Sequence, residues 1–152
     1  MLRVLLVVDL QTSFKLEPYY SKLLGYIKEH RNEYDVVAAT IFHNTEDSQF
    51  VRLCNYQGAM LLDSLDFKSD MVIEKSTCGI GERWCKYFDK LLAEVTVIGC
   101  DTDACVLSTC YDLFNNNNRF KVLTDYCYST GGKDYHDAGV AIMKRNFGRA
   151  AI

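Results

Sequence analysis

The chain predicts a three-layer α/β fold, an open parallel sheet of about five strands with helices on both faces, and three observations carry that expectation. Runs rich in Val, Ile and Leu recur along the 152 residues, with helical stretches between them. Several runs, Leu2–Val8 first among them, are almost continuously apolar, the pattern of strands covered on both faces. Strands alternating with helices of roughly 10 to 15 residues make right-handed βαβ units, so the sheet is parallel and Rossmann-like. One proline and no Ser/Gly-rich tract leave no linker, so residues 1–152 read as one domain.

The elements follow in order. Leu2–Val8 is the first strand. Pro18 suits the first turn of a helix running to about Lys28, with Leu23, Leu24 and Ile27 on one face. Val36–Phe42 is the second strand. Residues 43–70 are polar and mixed, read as loops with a short helix. Met71–Glu74 is a short third strand, Glu82–Leu92 a helix in which Trp84 falls at a packing position, and Glu94–Gly99 the fourth strand. Ala104–Phe114 is helical and is ended by the asparagines 115–118. Phe120–Thr124 is the fifth strand. Asp134–Phe147 is the last helix, with Ala138, Ala141 and Ile142 on its apolar side.

Composition narrows the function classes. A hydrophobic share of 49% and a charged share of 24% belong to a folded soluble domain. A net charge of −3 with no block of like charge argues against nucleic acid or an anionic membrane as main partner, since either selects a basic patch. No apolar run approaches the roughly 20 residues of a spanning helix. The N-terminal run is broken by Asp9 with no small-residue cleavage site after it, so it reads as a strand rather than a signal peptide. A cytoplasmic location is expected, with the seven cysteines reduced and mostly packed as small hydrophobes.

In open α/β sheets the ligand sits beyond the carboxyl ends of the strands. Asp9 closes the first strand, Lys75 closes the third, and Cys105 follows the fourth after a short turn. Each has a plainer alternative: a turn or cap residue for Asp9, a solvated lysine for Lys75, one more buried thiol for Cys105. The setting of Cys105 favours chemistry. Thr102 and Asp103 are good N-cap types and would place it in the first turn of a helix, where unpaired amides and the positive dipole end favour a thiolate.

These residues lie in recognisable motifs. GCDTDACVLST (Gly99–Thr109) resembles the nucleophile loop of the isochorismatase-like cysteine hydrolases, a family related to nicotinamidases. VVDLQTSF (Val7–Phe14) is similar to that family's aspartate motif, and VIEKSTCG (Val72–Gly79) to its lysine motif. LTDYCYST (Leu123–Thr130), with the helix holding His136 and Asp137, resembles its C-terminal section. The motifs occur in the family's order on the predicted strands. The resemblance implies a catalytic triad of Asp9, Lys75 and Cys105 that hydrolyses an amide or related C–N bond of a small molecule through a thioester. Lys75 would hold the thiolate by charge, and Asp9 would relay a proton between nucleophile and leaving group. It further implies a cis peptide at Cys100–Asp101, aiming the Asp101 and Cys105 amides as an oxyanion hole, and a homo-oligomer.

Departures from the family pattern matter equally. Where related nicotinamidases carry a metal-binding Asp-x-His, this chain reads Ile41-Phe42-His43, so the Asp is missing. With only His30, His43 and His136 besides, no metal or other cofactor is expected, since zinc needs three or four converging ligands. Members that open the vinyl ether of isochorismate lack the cysteine, so Cys105 argues against that reaction. The last residues, 149–152, are expected as at most a stub of the family's final strand. Phe14 stands where the family places a ring against a planar substrate, although a core role is equally open. His43 and Asn44 are candidate substrate-binding residues beyond the second strand. Two other classes remain open here: a catalytically silent binding or assembly member, and a thiol redox protein in which Cys100 or Cys110 approaches Cys105.

Overall fold

The computed structural model describes residues 1–152. Five strands, β1 (Leu2–Val8), β2 (Val36–Phe42), β3 (Met71–Lys75), β4 (Ala93–Cys100) and β5 (Arg119–Tyr128), form one sheet in the order β3-β2-β1-β4-β5. Every neighbouring pair is parallel. The strand order reverses between β1 and β4, and a crevice opens beyond the carboxyl ends at such a switch point.

Alternation along β1 builds both halves of the core. Val4, Leu6 and Val8 pack on one face with Cys85, Phe88, Cys110, Leu113 and Met143. Leu5 and Val7 pack on the other with Tyr20, Leu23, Tyr26 and Ile27 of α1 (Tyr19–His30). Successive side chains of a strand point to opposite faces, so a continuous apolar run is what a doubly covered central strand requires. The remaining helices are α2 (Gln49–Cys54), α3 (Glu82–Tyr87), α4 (Leu107–Asn115) and α5 (Lys133–Phe147). None is long and apolar enough to cross a membrane.

Four elements depart from the sequence reading, each for a tertiary reason. The helix expected over Glu82–Leu92 stops at Tyr87, because Asn118 Nδ2 donates to the carbonyls of Cys85 (2.8 Å) and Phe88 (2.5 Å) and caps it from a distant turn. The fifth strand extends past Thr124 to Tyr128. Ile98 of β4 lies against the stretch Leu123–Tyr126, a bulge, after which Gly99 and Cys100 pair with Cys127 and Tyr128. A π-helical turn over Thr102–Val106 precedes α4, so helical structure begins ahead of Ala104. The final residues Arg149–Ala151 form a 3₁₀ turn instead of a strand stub, and β5 keeps a free edge.

Candidate active site

β1 delivers Asp9 to the switch point with its backbone in the left-handed region, φ +50°. Its carboxylate is fully buried and is held by polar partners from the two neighbouring strands on one side of the sheet, Thr40 and Lys75. Thr40 of β2 accepts from the Asp9 N–H at 2.9 Å and donates its hydroxyl to Oδ1 at 2.5 Å. Lys75, the last residue of β3, donates to Oδ2 at 2.8 Å. The other two Lys75 Nζ protons go to the carbonyls of Thr77 and Cys78, each at 2.9 Å. All three ammonium donors are therefore used, which is what makes a buried charge tolerable.

β4 approaches from the other side of the switch point. Gly99 runs at φ +132° so close to β1 that a Cβ would meet the Val8 carbonyl oxygen at 2.1 Å, so only glycine fits there. The Cys100–Asp101 peptide is cis. The π-helical turn follows, closed by the Val106 N–H on the Asp101 carbonyl at 3.0 Å. Turns of this kind recur at functional sites. Thr102 and Asp103 do not cap it. Asp101 holds the N-cap position, and its own carboxylate accepts from Thr130 N and Oγ1, both at 2.8 Å. Thr102 Oγ1 is bonded to His136 Nδ1 at 2.7 Å, and Asp103 Oδ1 accepts from Ser129 Oγ at 2.6 Å. The reason is α5: Gly139 brings that helix to within a Cβ's reach of the Asp103 backbone, drawing these side chains outward to the β5–α5 segment.

The turn sets the Cys105 thiol beside the Asp9 carboxylate and the Cys78 thiol, which act on it electrostatically together with Lys75. Cys78 follows β3 three residues after Lys75 and is half-buried. Cys78 is pushed down to about 7, first by its interaction with the Cys105 thiol and, against the opposing effect of burial, by the Lys75 ammonium. Cys105 is pushed well above the ordinary thiol range, first by its interaction with Cys78, then by burial and by the nearby Asp9 carboxylate, so it holds its proton.

A cavity of about 420 Å³ opens onto these sulfurs. Phe14, Phe42, Phe50 and Tyr56 line it with aromatic surface, and Asp101 contributes its charged side chain. Burial raises the Asp101 carboxyl above its ordinary range, against the lowering effect of the Thr130 bonds.

Of the residues singled out by sequence, Asp9, Lys75 and Cys105 converge, and Phe14 lines their cavity. His43 and Asn44 do not reach it. They line a separate depression, where His43 Nε2 bonds to the Met60 carbonyl at 2.8 Å. Asn44 is buried, donating to the carbonyls of Tyr56 and Gly58 and accepting from Ser48, so it shapes the loop that carries Tyr56. Cys100 and Cys110 are fully buried, and Cys100 Sγ donates to the Asp9 carbonyl, so the neighbouring thiol of Cys105 is Cys78 instead. Sequence reasoning missed Cys78, Tyr56 and Thr40. Thr40 had a legible signal, a polar residue inside an otherwise apolar strand.

The three histidines are dispersed, and no group of three or more His, Cys, Asp or Glu is placed to hold a metal ion. The donor set does not fit a metal centre.

Among solved structures, a nicotinamidase from Bacillus subtilis aligns with a TM-score of 0.75 at 18% identity, covering 97% of this chain and 97% of that one. N-carbamoylsarcosine amidase from Thermoplasma acidophilum aligns at 0.72 and 21% identity, covering 97% and 94%. Pyrazinamidase of Pyrococcus horikoshii, solved in complex with zinc, aligns at 0.72 and 18% identity, covering 95% and 96%. These likenesses establish a shared fold. No curated protein matches the chain. A family model for the isochorismatase domain matches residues 3–151, nearly the whole length, and the chain therefore belongs to the isochorismatase domain family.

Proposed function

We propose that this protein is a cysteine amidohydrolase in which Cys105 attacks a small-molecule amide or related C–N bond, with Asp9 as proton carrier and Lys75 as its fixed counter-charge. The observation that carries the reading is the placement of the Cys105 thiol against a buried Asp9 carboxylate that Lys75 already neutralises. As the sulfur attacks the carbonyl carbon, its proton passes to Asp9, and the C–O π electrons move onto oxygen. The Asp101 and Cys105 backbone amides, at the start of the helical turn, are the donors for that oxyanion. Collapse expels the amine, which takes the proton from Asp9, and leaves a thioester on Cys105. Water then attacks the thioester, giving its proton to Asp9, and the second collapse releases the acid and expels the sulfur, which takes that proton back from Asp9.

The aromatic walls around the cavity favour a planar acyl group, stacked rather than hydrogen-bonded. Phe14 belongs to that surface, and its role is to position substrate. Solved neighbours named as nicotinamidase and N-carbamoylsarcosine amidase support C–N bonds as the target.

The test is ammonia release from a panel of small aromatic amides and ureido acids. Turnover by the native enzyme that falls by about a thousandfold or more in Cys105→Ala is expected, the scale of losing a catalytic nucleophile. A Cys105→Ala variant that turns over at the native rate would overturn the assignment.

A further inference from the structure

Cys78 is not required by the hydrolytic steps, yet it is held against the nucleophile from two sides. Lys75 Nζ binds its carbonyl and that of Thr77. Beyond it, Asp112 of α4 accepts from the Gly81 N–H at 2.9 Å, and Gly79 passes so near that carboxylate that a Cβ would meet Oδ2 at 2.1 Å. The segment carrying Cys78 is thus clamped to β3 at one end and to α4 at the other. Cys105 sits in the π-helical turn directly before α4. Two thiols on separately fixed segments, lining the same open cavity and each acting on the other's ionisation, are placed for reaction with each other.

We propose that Cys78 and Cys105 form a reversible disulfide when a small peroxide enters the cavity, and that this bond switches the hydrolase off. The regulatory meaning rests on the hydrolytic reading above, whereas the covalent step does not. A thiolate of the pair attacks one peroxide oxygen, breaking the O–O bond and releasing hydroxide, and becomes a sulfenic acid. The second sulfur then attacks the first, its proton leaving with the departing hydroxyl as water. In balance, two thiols lose two electrons and two protons, and one peroxide becomes two waters. An external dithiol reverses the bond by exchange.

The local chemistry favours this pair over the others. The Cys78 thiol, pushed down with the Lys75 ammonium beside it, supplies the nucleophile. Cys85, Cys100, Cys110 and Cys127 are buried away from the cavity. Cys54 also lines it, but lies at the exposed end of α2 and is not among the groups that shift either sulfur. A disulfide would block attack by Cys105 and shield it from irreversible oxidation to sulfinic acid.

The experiment is mass spectrometry of the native protein after equimolar hydrogen peroxide, with free thiols then trapped by N-ethylmaleimide. The expected result is loss of a pair of hydrogens, a Cys78–Cys105 cross-linked peptide, and recovery of both thiols with dithiothreitol. In Cys78→Ser the same dose should leave Cys105 as a sulfenic acid that dimedone traps, and a second equivalent of peroxide should carry it to a sulfinic acid that dithiothreitol does not restore. Cys78→Ala gives the same readout if the serine hydroxyl disturbs packing. Oxygen addition to Cys105 at the same rate in native protein and variant, or a cross-link from Cys105 to Cys54, would overturn the proposal. Because mass is the readout, the switch is judged even if no amide in the panel is turned over.

Discussion

Asp9 and Lys75 bind at 2.8 Å with almost no exposure, so each is tolerable only because of the other. Replacing Lys75 by Met removes the ammonium and leaves the carboxylate with the Thr40 hydroxyl as its remaining donor from that side. The expected cost is about 3–5 kcal/mol, read as a lower urea midpoint, together with loss of amide turnover. Unchanged stability in Lys75→Met would show the pair contributes nothing to the fold. The thiols make a second test at this scale. Alkylation of the Cys78–Cys105 pair should accelerate as pH rises through about 7, because the thiolate forms there. Cys85 and Cys127 are pushed up to about 12 by burial and should stay unlabelled until the protein unfolds. Labelling of either in the native state at neutral pH would contradict that burial.

At the scale of elements, the π-helical turn is held by what packs on it more than by its own sequence. Its Thr102 and Asp103 side chains are committed to His136 and Ser129, and α5 lies directly on its backbone at Gly139. A Cβ at residue 139 would stand 3.0 Å from Asp103 Cα and from Asp103 N, backbone atoms that give way only if the whole turn moves. Gly139→Ala should therefore destabilise by about 1–3 kcal/mol, the range for overpacking a tight contact. Since the turn carries Cys105, kcat for amide hydrolysis should fall as well. Thermal unfolding paired with steady-state kinetics checks both. A stabilised variant, the usual outcome of Gly→Ala on an open helix face, would show the contact is loose.

At the scale of the molecule, one sheet separates two apolar clusters and shares its central strand between them. Val4, Leu6 and Val8 cannot leave one cluster without Leu5 and Val7 leaving the other, so the two halves should unfold together. Trp84, the only tryptophan, packs on the α4–α5 side, whereas far-UV circular dichroism sums over every element. Denaturation curves from Trp84 fluorescence and from circular dichroism are expected to coincide. A fluorescence transition that precedes the other would mean the faces melt separately. The switch point lies between the same central strands, so the proposed catalytic groups sit where both clusters meet the sheet.

The strands and the catalytic candidates were legible in the residues because each depends on a short-range regularity. An apolar run such as Leu2–Val8 carries its own burial pattern, and Asp9 and Lys75 announce themselves as charges ending such runs. Cys105 was legible through its turn. Long-range contacts decided the rest. Asn118 reaches across to end α3, a bulge opposite Ile98 lengthens β5, and α5 claims the side chains that looked like caps. Cys78 and Tyr56 enter the site from the segments after β3 and β2, whose course no periodicity encodes. His43 and Asn44 turned toward their own loop, because backbone carbonyls of Tyr56, Gly58 and Met60 needed donors there. Local pattern specifies which strand bears a residue, whereas partners distant in sequence specify where its side chain finds its hydrogen bonds.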